Sequence, residues 1–169
     1  MQAFALQLTS LLYFMAPAYL ANMAPPFVRF WKGWNQPIHA RLLGSHKTVL
    51  GFALGVAVAL LVTAAQAALA LPVGRIDYHW WPLAGLGFGV GAMAGDALKS
   101  LFKRQRGIPP GKPWMPWDQL DFALGALLLM AVPAGLSAAE VLLILIVTFV
   151  GDVAVNRIAF RIGIKDSPW

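Results

Sequence analysis

Long apolar runs, broken by short clusters of charge, proline or glycine, set the first reading of this chain. A membrane-crossing helix needs about 20 mostly apolar residues, and five stretches qualify: about 3–20, 49–71, 80–102, 117–136 and 138–160. The second is the clearest, because Val49 to Leu71 holds no charged residue. The first ends near Asn22, ahead of Pro25 and Pro26. It lacks a basic leader and precedes further spans, so it reads as a retained helix and not as a signal peptide. The third stretch is rich in glycine, the fourth carries Pro133 near its far end, and the fifth holds Asp152 in its second half. The turn between the last two is short, which predicts a helical hairpin. The expected fold class is all-α: a polytopic integral membrane protein of about five transmembrane helices, forming a single domain over residues 1–169.

Composition supports lipid as the solvent. Of the 169 residues 59% are hydrophobic and 12% charged, against about 25% charged in ordinary soluble domains. The charge is also distributed unevenly. The first connection holds Arg29, Lys32, Arg41 and Lys47, the third region holds Lys99, Lys103, Arg104, Arg106 and Lys112, and the C-terminal end holds Arg157, Arg161 and Lys165. Only Arg75 falls on the alternate face, so twelve of the thirteen basic residues share one side. The positive-inside rule then places the N-terminus outside and the C-terminus in the cytoplasm, which requires an odd number of spans. The net charge of +6 is thus a topology signal, and no nucleic-acid partner is expected. Cysteine is absent, which excludes disulfides, thiolate metal sites and cysteine nucleophiles. The spacings Gly51-x-x-x-Gly55 and Gly91-x-x-x-Gly95 predict close helix crossings. A loose dinucleotide pattern at Gly87, Gly89 and Ala92 follows no strand and is rejected.

The chemistry concentrates between Gly95 and Gly125. Asp96, Lys99, Ser100 and Lys103 recur at helical spacing and share one face. An ionisable residue inside a membrane helix is costly and needs a partner; one reading pairs Asp96 with Lys99 or Lys103 as a structural ion pair. Prolines at 109, 110, 113 and 116 exclude a continuing helix. Trp114 and Trp117 read as an aromatic belt at headgroup depth. Asp118 and Asp121 stand at the mouth of the fourth helix, where Asp118 could be an N-cap and Asp121 could answer the helix dipole. Together, three carboxylates and five cations at one end of a hairpin suit Mg²⁺ and phosphates, because hard oxygen ligands take that ion alongside substrate phosphates. Ser45, His46, Lys47 and Thr48 add an anion-receptive helix start. Metal-assisted phosphoryl or nucleotidyl transfer at a membrane surface follows. The competing reading is a small transporter or channel that uses Asp96 and Asp152 as intramembrane relay sites.

These residues carry a resemblance to the CDP-archaeol synthase family, relatives of the CDP-diacylglycerol synthases. It rests on PAYLANMAP at Pro17–Pro25, GSHKTVLGFALG at Gly44–Gly55, the long block from Gly95 to Ala126, and the end from Asn156 to Trp169. The resemblance implies five membrane helices and a multi-pass protein of the cell membrane. It also implies transfer of cytidylyl from CTP to an isoprenoid or other lipid phosphate, giving pyrophosphate and a CDP-lipid, with Mg²⁺ and a cytoplasmic active site. On that basis Asp96, Asp118 and Asp121 are expected to hold metal, with Lys103 joining them in catalysis. Nucleotide contacts are expected from His46, Lys47, Lys99, Ser100, Arg104, Lys112 and Gln119; Gln119 could read the cytosine or support a carboxylate. Asn22 and Asn156, at the cytoplasmic ends of helices, are read as helix-to-helix hydrogen bonders placed where they could complete the site. Asp152 is left outside the catalytic set.

Overall fold

The computed structural model describes residues 1–109 and 112–163; Pro110, Gly111, Lys165, Asp166 and Ser167 therefore lie outside the described residues. Helix is the dominant structure among the described residues, and an isolated bridge between Pro37 and Thr48 is the one strand-like pairing among them. Among the described residues six α-helices run in order: α1 Gln2–Met23, α2 Ala40–Leu43, α3 Val49–Leu69, α4 Trp81–Gln105, α5 Trp117–Met130 and α6 Ala138–Arg161. Short 3₁₀ segments follow α1 (Pro25–Phe30) and precede α4 (Tyr78–Trp80).

The five expected spans map onto α1, α3, α4, α5 and α6. Three segments are long and apolar enough to cross a membrane by that measure alone: Gln2–Phe30, Val49–Leu69 and Ala138–Ile158. The other two differ for physical reasons. α4 has the length, 25 residues, but its last turns carry the charged face. α5 has 14 residues and stops at Met130, six short of the expected 136; at 1.5 Å per residue it rises about 21 Å, less than the roughly 30 Å of a hydrocarbon core. A turn over Ala131–Gly135, with Pro133 inside it, takes the chain to α6. Large apolar side chains line the outside of the bundle, Leu61 at 70% exposure and Leu128 at 82% among them, as lipid-facing positions require.

The core lies where α1, α3, α4 and α5 meet. Phe14 and Phe88 are fully buried edge-to-face, with ring centroids 5.0 Å apart. Small residues set how closely the helices approach. At the α4–α5 crossing, a Cβ added to Gly91 would lie 2.6 Å from the Gly125 carbonyl oxygen, and one added to Gly95 or Gly125 would collide with the facing backbone. Without interhelical hydrophobic drive in lipid, such backbone approach is what holds membrane helices together. We expect Gly125→Ala to cost about 1–3 kcal/mol as an overpacking change, read as a lowered melting temperature in detergent, and to reduce turnover by shifting α5 along α4.

The end of the bundle opposite the basic loops is tied by a cap and an ion pair. Ser137 and Glu140 form a reciprocal capping box at the start of α6. Arg75 meets Glu140 at 2.7 Å and donates to Ser10 at 2.9 Å. The single basic residue of that face is thereby consumed in joining α1, the α3–α4 connection and α6.

Candidate active site

The glycine crossing dictates the site. Because Gly95 lies against the backbone of Asp121, the charged last turns of α4 face the first turns of α5. Lys99 extends into that gap, and its Nζ stands 2.9 Å from Asp121 Oδ2, 3.2 Å from Asp118 Oδ1 and 3.4 Å from Asp96 Oδ1. One turn on, Lys103 Nζ donates to both oxygens of Asp118, at 2.9 and 3.0 Å, and to the Lys112 carbonyl oxygen at 2.6 Å. From the first connection, Lys47 pairs with Asp96 Oδ2. Three carboxylates thus alternate with three ammonium groups, all largely shielded from water. Of the two partners considered for Asp96, Lys99 is in place, whereas Lys103 has gone to Asp118.

Local structure fixes each group. Thr48 caps α3 by accepting from Gly51 N–H at 3.1 Å, which anchors Lys47 one residue earlier. Gly44 adopts φ +92°, and a Cβ there would meet the His46 ring at 2.9 Å; the positive-φ glycine lets the imidazole fold back over the turn. Burial, then the charge of Lys47, holds His46 below its ordinary pKa, with Lys99 and Arg104 adding to the effect and Asp96 opposing it. The imidazole is therefore neutral at physiological pH. Asp118 is not the N-cap of α5: Pro116 takes that position, and Asp118 lies inside the first turn. Its Oδ2 accepts from Trp114 N–H at 2.5 Å while its own N–H donates to the Trp114 carbonyl at 3.0 Å. This exchange closes the loop over the cluster.

Other expected residues take differing positions. The Ser100 hydroxyl donates to the Asp96 carbonyl at 2.9 Å, a bond within its own helix. Lys112 joins the network through its carbonyl oxygen. Gln119 is 2% exposed, and its Oε1 has no hydrogen-bond partner among the described residues; the same holds for the buried Nε and Nη1 of Arg104. Buried polar atoms of this kind are rare unless something else satisfies them. Asn22 occupies the last turn of α1, and Asn156 donates to Asp152 at 2.7 Å along α6.

Beside the cluster, between α4 and α5, lies a cavity of about 520 Å³. Lys99, Arg106 and Asp121 form its polar end, Trp114 and Trp117 its rim, and Leu98, Leu124 and Leu128 carry it toward lipid. Arg106 sits 5.1 Å above the Trp114 ring. Sequence reasoning counted Arg106 among the five cations of this end without giving it a contact, and assigned the two tryptophans to a membrane belt, and so missed this wall. The signal was present for Arg106, which stands seven residues after Lys99 on the same helix face. A smaller cavity of about 50 Å³, lined by His46, Lys47 and Asp96, flanks the other side of α4.

Three hard-oxygen carboxylates around one ammonium make a pocket suited in chemistry to a divalent cation. As they stand, however, no three Asp, Glu or His side chains among the described residues are close enough to hold a metal ion. Lys99 occupies the centre, and coordination requires it to withdraw.

Comparison with known proteins decides the family. A family profile described as CDP-archaeol synthase matches residues 4–169. The chain belongs to the CDP-archaeol synthase family. Curated relatives with that name include one from Methanospirillum hungatei, 33% identical over 92% of this chain and 100% of its own length. Another, from Pyrococcus furiosus, is 31% identical over 93% and 95%, and one from Thermofilum pendens is 36% identical over 90% and 77%. A solved structure, described as an intramembrane enzyme for archaeal membrane lipids biosynthesis, matches with TM-score 0.64 at 28% identity, covering 86% of this chain and 91% of its own. Membership sets the reaction class: this is a multi-pass membrane enzyme and a CTP-dependent nucleotidyltransferase. The transporter reading is not favoured.

Proposed function

We propose that this chain transfers cytidylyl from CTP to the phosphate of an isoprenoid ether-lipid or related lipid, at the cytoplasmic face of the cell membrane, with five crossings and the N-terminus outside. The observation that carries this reading is the Lys99 ammonium shared by Asp96, Asp118 and Asp121 beside a cavity that opens sideways toward lipid. A phosphate head can reach the charged end of that cavity while its tails stay among apolar side chains. The cytoplasmic assignment rests on the face that carries twelve of thirteen basic residues.

The reaction forms a bond from a lipid-phosphate oxygen to the α-phosphorus of CTP and breaks the α–β bridge, with pyrophosphate leaving. The attacking oxygen is already anionic, so no strong base is needed. The obstacle is repulsion between two polyanions, which fixed charges remove most effectively in a water-poor site. Lys47 and His46 approach the nucleotide from the first connection, Lys103 and Arg104 from α4, and the open Arg104 donors suit phosphate oxygens. Arg106, stacked on Trp114, faces the cavity where the lipid phosphate would enter. Asp96, Asp118 and Asp121 would hold Mg²⁺, which supplies charge neutralisation on the phosphates. With a cation held by those carboxylates, the Lys99 ammonium would serve as a further positive charge for phosphate oxygens.

Detergent-purified protein incubated with labelled CTP, Mg²⁺ and lipid phosphates should yield a CDP-lipid and pyrophosphate. A chelator should stop the reaction, added Mg²⁺ should restore it, and ATP should not replace CTP. Transfer that persists in excess chelator would remove the metal from the scheme; absence of any CDP-lipid across isoprenoid and acyl phosphates would overturn the reading.

A further inference from the structure

The connection from α1 to α3 carries a surface that the reaction does not use. Within ten residues it presents Phe27, Phe30, Trp31 and Trp34, each 61% to 67% exposed. Arg29, Lys32 and Arg41 are exposed among them, and from Ala24 to Thr48 the chain has no acidic residue. None of these three cations enters an ion pair among the described residues, and Arg29 lies over the Phe30 ring at 4.7 Å. The Trp31 indole folds against Gly33, where an added Cβ would meet its Nε1 at 2.6 Å.

Placement limits what can cover this surface. The segment Gln2–Phe30, which runs into the start of this connection, and Val49–Leu69 after it are each long and apolar enough to cross a membrane, so the connection emerges at the bilayer surface. Its far end is pinned there, since Ile38 N–H donates to Lys47 O at 2.8 Å, Val49 N–H donates to Gln36 O at 3.0 Å, and Lys47 itself is held by Asp96. Four bulky aromatics left in water at that level would be unfavourable, whereas the amphipathic indoles of Trp31 and Trp34 are stabilised at headgroup depth and the apolar rings of Phe27 and Phe30 at the boundary with the acyl chains. Exposed cations without acidic neighbours complement a negative lipid surface.

We propose that residues 25–43 form an anionic-lipid collar beside the active site. Phe27, Phe30, Trp31 and Trp34 enter the headgroup layer, and Arg29, Lys32 and Arg41 bind lipid phosphates. The collar is separate from the catalytic cluster and stands whether or not the transfer reaction is as described above.

The test uses the full chain in nanodiscs holding equal amounts of neutral phosphatidylcholine and anionic phosphatidylglycerol, with retained lipid counted by native mass spectrometry. The wild type should keep the anionic lipid over the neutral one by about tenfold or more, and about 1 M salt should erase that preference. Arg29→Gln/Lys32→Gln/Arg41→Gln should lower it to about twofold, while Arg157→Gln/Arg161→Gln should leave it intact. In parallel, shallow spin-labelled lipids should quench wild-type tryptophan fluorescence more strongly than that of Trp31→Phe/Trp34→Phe. An undiminished preference in the triple variant, an equal fall in both charge variants, salt-insensitive retention, or identical quenching would each overturn the collar. A triple variant that instead loses a dimer mass would assign the surface to a second copy of the chain and overturn it equally.

Discussion

Asp121→Asn should reduce turnover by on the order of 10²–10³, the range seen when one preorganised group stabilising transition-state charge is removed, while leaving the protein folded. The substitution preserves volume and removes one charge. Lys99 keeps Asp118 at 3.2 Å and Asp96 at 3.4 Å, so no buried ammonium is left alone. The single amide oxygen can still accept from the Phe122 N–H, which now donates to Asp121 Oδ1 at 2.5 Å, but the amide NH2 then replaces the oxygen that faces Lys99 at 2.9 Å, and that contact is lost. The loss should therefore appear chiefly in turnover and in a raised Mg²⁺ requirement, with a modest fall in melting temperature from the lost Lys99 contact. Wild-type turnover in this variant would exclude Asp121 from the metal set. Asp118→Asn is the informative companion, because Asp118 also anchors Lys103 and the Trp114 N–H. That variant should lose stability as well as rate.

Lys99→Met should be the more damaging change to the fold. Three carboxylates then share a gap without their common counter-ion, and breaking a shielded ion-pair network by removing one partner costs about 3–5 kcal/mol. Its two consequences can be separated. Mg²⁺ added to the variant should recover much of the melting temperature, since a cation can take the vacated centre. Turnover should stay at least about a hundredfold low, because the ammonium that would move to phosphate is missing. If Mg²⁺ restored turnover along with stability, Lys99 would be only a placeholder for the ion.

What the sequence made legible was local. The five apolar blocks follow from residue type alone, and so does the gathering of basic residues on one face. The shared face of Asp96, Lys99, Ser100 and Lys103 follows from helical period. The long block from Gly95 to Ala126 was unusual enough to carry the family resemblance, which the comparisons bear out. Even the Gly91–Gly95 spacing announced a close crossing, although its partner Gly125 went unremarked.

What needed the tertiary structure was which groups meet. Lys47 lies 49 residues before Asp96 and reaches it only because α3 begins against α4. Asp118 looked like a cap, yet the turn from Trp114 to Pro116 moves the cap two residues earlier and draws its carboxylate onto two lysines. Arg106, Trp114 and Trp117 became a cavity wall only once α5 lay across the glycines of α4. Periodicity and hydropathy report how a residue sits on its own helix. Contact between helices depends on how near two backbones can come, and that distance is a property of the packed pair.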